Sequence, residues 1–431
     1  MSTHHASSFV RHEALPPSPP PTTQTGPLRW LRDNLFSNIP NSIMTLVAIY
    51  LIVSLILGIL PWLANGVWDA ESIRDCRAQL EGATGGCFAV IAERWPQLIF
   101  GSYPKDLLMR PTLAFVLFLA AAAPVLFTEL PRKLLIFTGL YPFIGFWLIW
   151  GGSIWVPVMG LAGFGVGFAV FRWLETRSFF GAMAAGFFAA LFFWSFISGF
   201  IVMGLDAIAP IAMEKVESRL IGGFTVNFLL GAVCMTLSLP LGILLALGRQ
   251  TNLPIIRGIC VVFIEFIRGV PLITLLFVAS VMLAYFLPPG SNFDIISRVI
   301  IMITLFAAAY IAEAIRGGLA ALPKGQYEAA DALGLDYWQA MRLIILPQAL
   351  KIAIPSIVNI AISLFKDTTL VSIISMFDLL GIIRGPILAT TEWFGIYWEL
   401  YGFSALLFFV VCYSISQYSQ YLERKLATDR R

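Results

Sequence analysis

Charge is what this chain has least of. Asp, Glu, Lys and Arg make up 12% of its 431 residues, against roughly 25% in soluble chains. So few charges cannot cover a surface that faces water. The net charge of +3 is too small to suggest a nucleic-acid partner. Histidine is nearly missing: His4, His5 and His12 sit near the N-terminus at spacings that form no metal site. No catalytic triad or metal cluster stands out, so neither catalytic residues nor a bound metal is expected. No G-x-x-x-x-G-K-[ST] loop occurs, so the chain has no phosphate cradle with which to hydrolyse ATP itself. Cysteine is sparse as well. Cys234, Cys260 and Cys412 lie in apolar runs and read as small hydrophobes. Cys76 and Cys87 differ, lying eleven positions apart in a polar, glycine-containing loop, where an oxidising compartment would let them pair.

Apolar residues fill the remainder, at 58% of the chain with a mean hydropathy of +0.84. Continuous apolar runs of about 18 residues or more predict membrane helices rather than the alternating strands of a barrel. The expected fold is an all-α polytopic membrane protein with about ten spans, near residues 43–63, 111–130, 134–150, 154–171, 179–209, 222–248, 259–287, 295–315, 348–374 and 401–420. Residues 1–40 are proline-rich, too polar for a signal peptide, and read as a disordered cytoplasmic N-terminus. A charge-rich shift at Glu214, Lys215, Glu217 and Arg219 suggests a module boundary near 213. It divides an extension, 41–212 with a long polar loop 64–110, from a C-terminal module, 213–422, and a tail, 423–431. Arg132, Lys133, Arg172, Arg177, Arg249, Arg257, Arg424 and Lys425 all fall on one side of this topology. The positive-inside rule makes that side, and both termini, cytoplasmic.

One polar stretch interrupts the apolar C-terminal module, from Lys324 to Lys351. Ala329, Ala330 and Ala332 favour a helix, Gly334 can take the positive φ that ends it, and Asp336 is placed to cap the next helix. Pro347 is expected to break or re-aim the chain. The spacing is E-A-A at Glu328, Ala329 and Ala330, three residues, Gly334, nine residues, then Ile344-Ile345-Leu346-Pro347.

This stretch resembles the EAA loop of permease subunits in ABC importers and matches the pattern at every position. The segments FIRGVPLITLLF, AYIAEAIRGGLAALPKGQYEAADALGL and LFKDTTLVSII are similar to the polar amino-acid uptake group of that family, and the N-terminal half is similar to its long-form subunits. The resemblance implies a five-span core that contains a cytoplasmic coupling loop, 324–347, in which Glu328, Ala329, Ala330, Asp331, Gly334, Leu335, Asp336 and Pro347 meet the ATPase. It implies a homologous second permease subunit, a homodimeric cytoplasmic ATPase that carries the ATP and Mg, a periplasmic amino-acid-binding protein, and location in a bacterial inner membrane. The chain itself would hold no cofactor and would be a transport subunit rather than an enzyme.

Charges inside spans are costly, so they mark candidate substrate-pathway residues. They are Glu265 with Arg268, Glu313 near Arg316, and Lys366, Asp367, Thr368 and Thr369. By charge complementarity, Lys366 or Arg268 would meet an amino acid's carboxylate, and Asp367 or Glu313 its ammonium. A second reading uses the same charges in an ion-coupled secondary transporter. It leaves the polar loop unexplained, and the halves show no internal repeat.

Overall fold

A computed structural model describes residues 26–127, 129–282, 285 and 294–427. Most of the proline-rich N-terminus, the last four residues of the tail and the far end of the span expected at 259–287 lie outside the described residues. The chain forms two compact units, Met1–Val67 with Arg77–Gly86, and Trp68–Cys76 with Cys87–Arg431. The module boundary expected near 213 falls inside the second unit.

In the first unit, Pro27–Asn34 is helical, although it lies within the stretch expected to be disordered. Pro27 occupies the first turn, where its missing N–H costs nothing, and Arg29 pairs with Asp33 at 3.0 Å one turn on. Asn38 then caps the helix Ile39–Ala64 by accepting from Asn41 N. No residue of this helix is buried, which suits an apolar cylinder solvated by lipid.

Among the described residues nine helices are long and apolar enough to cross a membrane, or ten if one bent pair counts as a span. The region 134–171 is two helices, Leu135–Trp150 and Trp155–Leu174, separated by a turn. In that turn Gly152–Ser153 pairs antiparallel with Ala212–Met213.

The bent pair is Pro254–Gly269 with Leu272–Met282, which meet at 102°. The single span expected at 259–287 is therefore broken. Pro271 has no N–H to donate and pushes Val270 into extended backbone, so the helix stops at Gly269.

Three helices of the C-terminal module fix its topology. The helices Gly223–Gln250 and Ile295–Ala320 run parallel, because Cys234 lies against Ile300, Gly242 against Ala308 and Ile311, and Arg249 against Glu313. Leu346–Asp367 runs antiparallel to them, since Gly318 abuts Ala349 and Ala353 while Phe306 and Asp367 share a cavity wall. The chain leaves the first helix at one end and begins the second at the other. The connection between them must return to the other side, so the broken pair Pro254–Gly269 with Leu272–Met282 is a crossing. Helix 295–320 is central: Val299, Ile303, Ala307, Ala308, Ile311, Ala312 and Ile315 are all buried. Its alanines permit the close approach on which helix packing in lipid relies.

One end of the second unit is closed by a layer drawn from distant loops. Helix Ala89–Phe100 lies against the start of helix 223–250, where the backbone crosses itself at Gly101 and Gly222. A Cβ on Gly101 would fall 2.4 Å from Gly222 Cα, and Gly101 has φ +70°, so only glycine fits. Gly223 N donates to Phe377 O at 2.8 Å, and Arg94 pairs with Glu392 at 3.0 Å. Tyr103 donates to Ile149 O and Trp150 to Ser218 Oγ, both at 2.8 Å. The ends of all these helices therefore lie on one side, as an even number of crossings between them demands.

Cys76 and Cys87 form a disulfide in this layer, with their Cα atoms 5.9 Å apart. Closing a loop of this length corresponds to about 3 kcal/mol of chain entropy. Cys76→Ser with Cys87→Ser is expected to destabilise the layer by up to about that amount. Thermal unfolding of the purified double variant, with and without reductant, checks this: reductant should lower the wild-type midpoint and leave the variant unmoved.

Candidate functional site

The loop 324–347 is built locally. Helix Gly325–Ala332 ends in a pair of hydrogen bonds, Leu335 N to Ala330 O at 3.2 Å and Gly334 N to Asp331 O at 2.9 Å. This is a Schellman cap, which needs its turning residue in the left-handed region, and Gly334 has φ +69°. Asp336 accepts from Gln339 N at 2.9 Å while Gln339 Oε1 accepts from Asp336 N at 3.2 Å, a capping box that starts the next helix at Tyr337. Ala330 is buried, Tyr327 of the same helix packs against the cluster of Met341, Ile345 and Ala349, and Gln348 Nε2 donates to Gln326 Oε1 at 2.8 Å. Glu328, Ala329, Asp331, Gly334 and Asp336 are exposed, and Leu335 is half-buried. Leu333, Tyr337, Trp338 and Leu343 present large apolar surface beside them, with Leu333 73% exposed.

Pro347 does not break the chain. Residues Met341–Ile345 form a π-helical turn, and the helix continues through Pro347 to Asp367. The wider turn absorbs the missing proline donor and the bulk of its ring.

Five charges meet at the end of helix 223–250 nearest this loop. Glu313 faces three arginines: Arg316 Nε at 3.0 Å, Arg249 at 3.3 Å and Arg268 at 3.6 Å. Glu265 lies 2.9 Å from Arg249 and 4.0 Å from Arg268. The pair expected between Glu265 and Arg268 is thus the longest contact of the group. The stronger partner of Glu265 comes from another helix. Three guanidinium groups against two carboxylates leave a positive surplus. Arg268 also lies over the Tyr310 ring, 5.7 Å from its centroid, and its Nε is buried without a hydrogen bond.

Tyr310 opens onto a cavity of about 310 Å³ between helices 295–320 and 346–367. Phe306, Ala307, Ile360 and Leu364 form its apolar walls, and Tyr310, Asn359, Ser363 and Asp367 its polar ones. Among the described residues, none of these four polar side chains makes a hydrogen bond or ion pair with the protein. Asn359 and Ser363 are exposed on this chain, while Tyr310 and Asp367 are half-buried. Polar groups on a span are costly against lipid and so favour water, a ligand or another subunit.

The stretch from Lys366 to Thr369 does not act as one group. Only Asp367 lines the cavity; Lys366 is exposed away from its walls. Thr369 Oγ1 donates to Lys366 O at 2.9 Å. Thr368 is fully buried, donating to Phe365 O at 2.7 Å and accepting from Asn227 Nδ2 at 3.0 Å. Its hydroxyl is committed to structure.

That bond belongs to a buried hub. Asn227 Nδ2 also donates to Asp378 Oδ2 at 3.2 Å, and Asn227 Oδ1 accepts from Leu379 N at 3.1 Å. Asp378 Oδ1 caps the helix that follows, accepting from Gly381 N at 2.8 Å. Burial pushes the Asp378 carboxyl up from its ordinary value, against the pull of its bonds from Gly381 and Asn227.

The chain contains a match, over residues 238–428, to the family described as the binding-protein-dependent transport system inner membrane component. Along almost its whole length it is similar to the glutamate/glutamine/aspartate/asparagine transport system permease protein BztC of Rhodobacter capsulatus, at 52% identity over 99% of each chain. It is also similar to the inner membrane amino-acid ABC transporter permease protein YhdY of Escherichia coli, at 38% identity over 96% of this chain and 97% of that one. A crystal structure of an amino acid ABC transporter with histidines aligns with 46% of this chain and 90% of its own, at 30% identity and a TM-score of 0.41.

Asn227→Ala strands Leu379 N and removes one donor each from Thr368 and Asp378, and is expected to cost about 2–3 kcal/mol. Folded Asp378 holds its proton to higher pH than the unfolded chain does. Stability therefore falls as pH rises from about 3.9, the ordinary value, to the raised one. Without the Asn227 bond that value rises further, so the loss should extend to higher pH in the variant. Thermal unfolding across a pH series checks both effects.

Proposed function

From the premise that this chain belongs to the amino-acid ABC transporter permeases, we propose that it is the membrane subunit of an ATP-driven importer of glutamate, glutamine, aspartate and asparagine. The observation that carries this is the 52% identity, end to end, to a permease named for those four substrates. A periplasmic binding protein delivers the amino acid, and a homodimeric cytoplasmic ATPase, holding ATP and Mg, supplies the work. A second, homologous permease subunit completes the pathway across the bacterial inner membrane. Both termini are cytoplasmic.

The layer with the disulfide then faces the periplasm, and the loop 324–347 faces the cytoplasm. Glu328, Ala329, Asp331, Gly334 and Asp336, with exposed Leu333 and Trp338, form the face that meets the ATPase. Ala330, Leu335 and Pro347 hold that face to the span. Because Met341 and Ile345 pack with Ile311 and Ile315 of the central helix, a push on the loop is delivered to the bundle rather than lost in a flexible linker.

The cavity beside Tyr310 is the substrate path. Asp367, which makes no hydrogen bond or ion pair among the described residues, takes the ammonium group. Arg268 at the rim supplies positive potential for a carboxylate. Glu313 is held by three arginines and Lys366 does not line the cavity, so neither serves these roles. Glu265 and Glu313 instead hold the arginines in place.

Gly334→Val puts a β-branched side chain in the left-handed region at a cost of about 1–2 kcal/mol, with nothing near its Cβ to clash. In the assembled transporter the variant is expected to insert normally but to lose most of the ATP hydrolysis stimulated by loaded binding protein. Wild-type stimulation in this variant contradicts the coupling role.

A further inference from the structure

The substrate set proposed above poses a chemical problem. Glutamate and aspartate end in a carboxylate, which only accepts hydrogen bonds; glutamine and asparagine end in a carboxamide, which also donates. A pocket built only of donors, or only of acceptors, would reject one of the two classes.

The cavity holds one side chain that suits both. Asn359, Ser363 and Asp367 stand at i, i+4 and i+8 on helix 346–367, so they share one face, and all three line the cavity. The Asn359 amide is exposed on this chain and makes no hydrogen bond among the described residues, so both its ends are accessible to a solute in the cavity. Turned one way it presents NH2 to a carboxylate; turned over, it presents its carbonyl to the NH2 of a carboxamide.

The distances agree. Eight residues at about 1.5 Å rise each separate Asn359 from Asp367 by about 12 Å along the helix. Glutamate or glutamine in extended form measures about 6 Å from its ammonium nitrogen to its side-chain terminus, from bonds of about 1.5 Å. A hydrogen bond of about 2.9 Å at each end brings the total to about 12 Å. Ser363, midway on the same face, offers its hydroxyl to the α-carboxylate. Aspartate and asparagine are shorter by one methylene, a difference that rotamer changes at either end can take up.

We infer that Asn359 is the specificity-determining residue that lets this one cavity carry amino acids with either acidic or amide side chains, while Asp367 holds their common ammonium. This rests on the reading of the cavity as the substrate path.

The test uses the complete transporter in proteoliposomes with ATP inside and one unaltered binding protein outside, measuring initial rates for labelled glutamate and glutamine. Asn359→Asp replaces the adaptable amide with a carboxylate that can accept from glutamine but repels glutamate. The glutamate-to-glutamine ratio is expected to fall at least about tenfold. An unchanged ratio with ATP-driven uptake intact overturns the inference. If Asn359→Asp carries neither substrate, Asn359→Ser decides, because its hydroxyl both donates and accepts. Uptake of both by that variant supports the assignment, and uptake of neither overturns it. A wild-type complex with no ATP-driven uptake of either overturns the importer reading beneath it, an outcome distinct from a failure at Asn359.

Discussion

A polar group at membrane depth must find a partner, because hydrocarbon offers it none. Leaving it unsatisfied costs several kcal/mol. This constraint sorts the charges and amides of the C-terminal module into three fates. The arginines Arg249, Arg268 and Arg316 are neutralised in large part by Glu265 and Glu313. Asn227, Thr368 and Asp378 satisfy one another in a closed hub. Among the described residues, the polar atoms of Tyr310, Asn359, Ser363 and Asp367 make no hydrogen bond or ion pair, and these side chains line the same cavity. The first two groups hold helices together. The third is the group on which the proposed substrate path rests.

The same constraint links the two ends of the molecule. Helix 295–320 contributes Glu313 to the arginine network, Tyr310 to the cavity and Ile315 to the core beneath the polar loop. Arg268 touches both Glu313 and the Tyr310 ring. These shared residues connect the loop and the cavity directly, which is the route the proposed coupling would use. At the opposite end the hub fastens the start of helix 223–250 to the segment after helix 346–367.

Much of this was legible in the sequence wherever the cause is local. Gly334, Asp336 and the alanines between Glu328 and Ala332 dictate helix, elbow and helix by backbone preference alone, and the structure has that form. Hydropathy placed the spans because length and apolarity decide membrane crossing. Pro271 signalled weakness, but the 102° bend it permits depends on neighbouring helices. Pro347 misled for a complementary reason: a π-helical turn accommodated it, and no local rule announces one. What could not be read was pairing at long range. Glu265 and Arg268 are three apart, yet Arg249 is the closer partner of Glu265. Asn227 and Asp378 lie 151 positions apart and gave no signal separately. Lys366 and Asp367 are adjacent in sequence, but helical rotation puts only one of them in the cavity. Asn359 is polar within an apolar run, and only the structure shows that, among the described residues, its amide makes no hydrogen bond.

The central claim is that the work of transport enters from a separate ATPase through the loop at Gly334. The most direct measurement is uptake of labelled glutamine into proteoliposomes holding this chain and its homologous permease subunit, with the binding protein outside. One preparation includes the ATPase and ATP, and the other has only an imposed ion or proton gradient. Accumulation that requires the ATPase and ATP, and is indifferent to the gradient, is the predicted result. Gradient-driven accumulation without the ATPase would contradict the account.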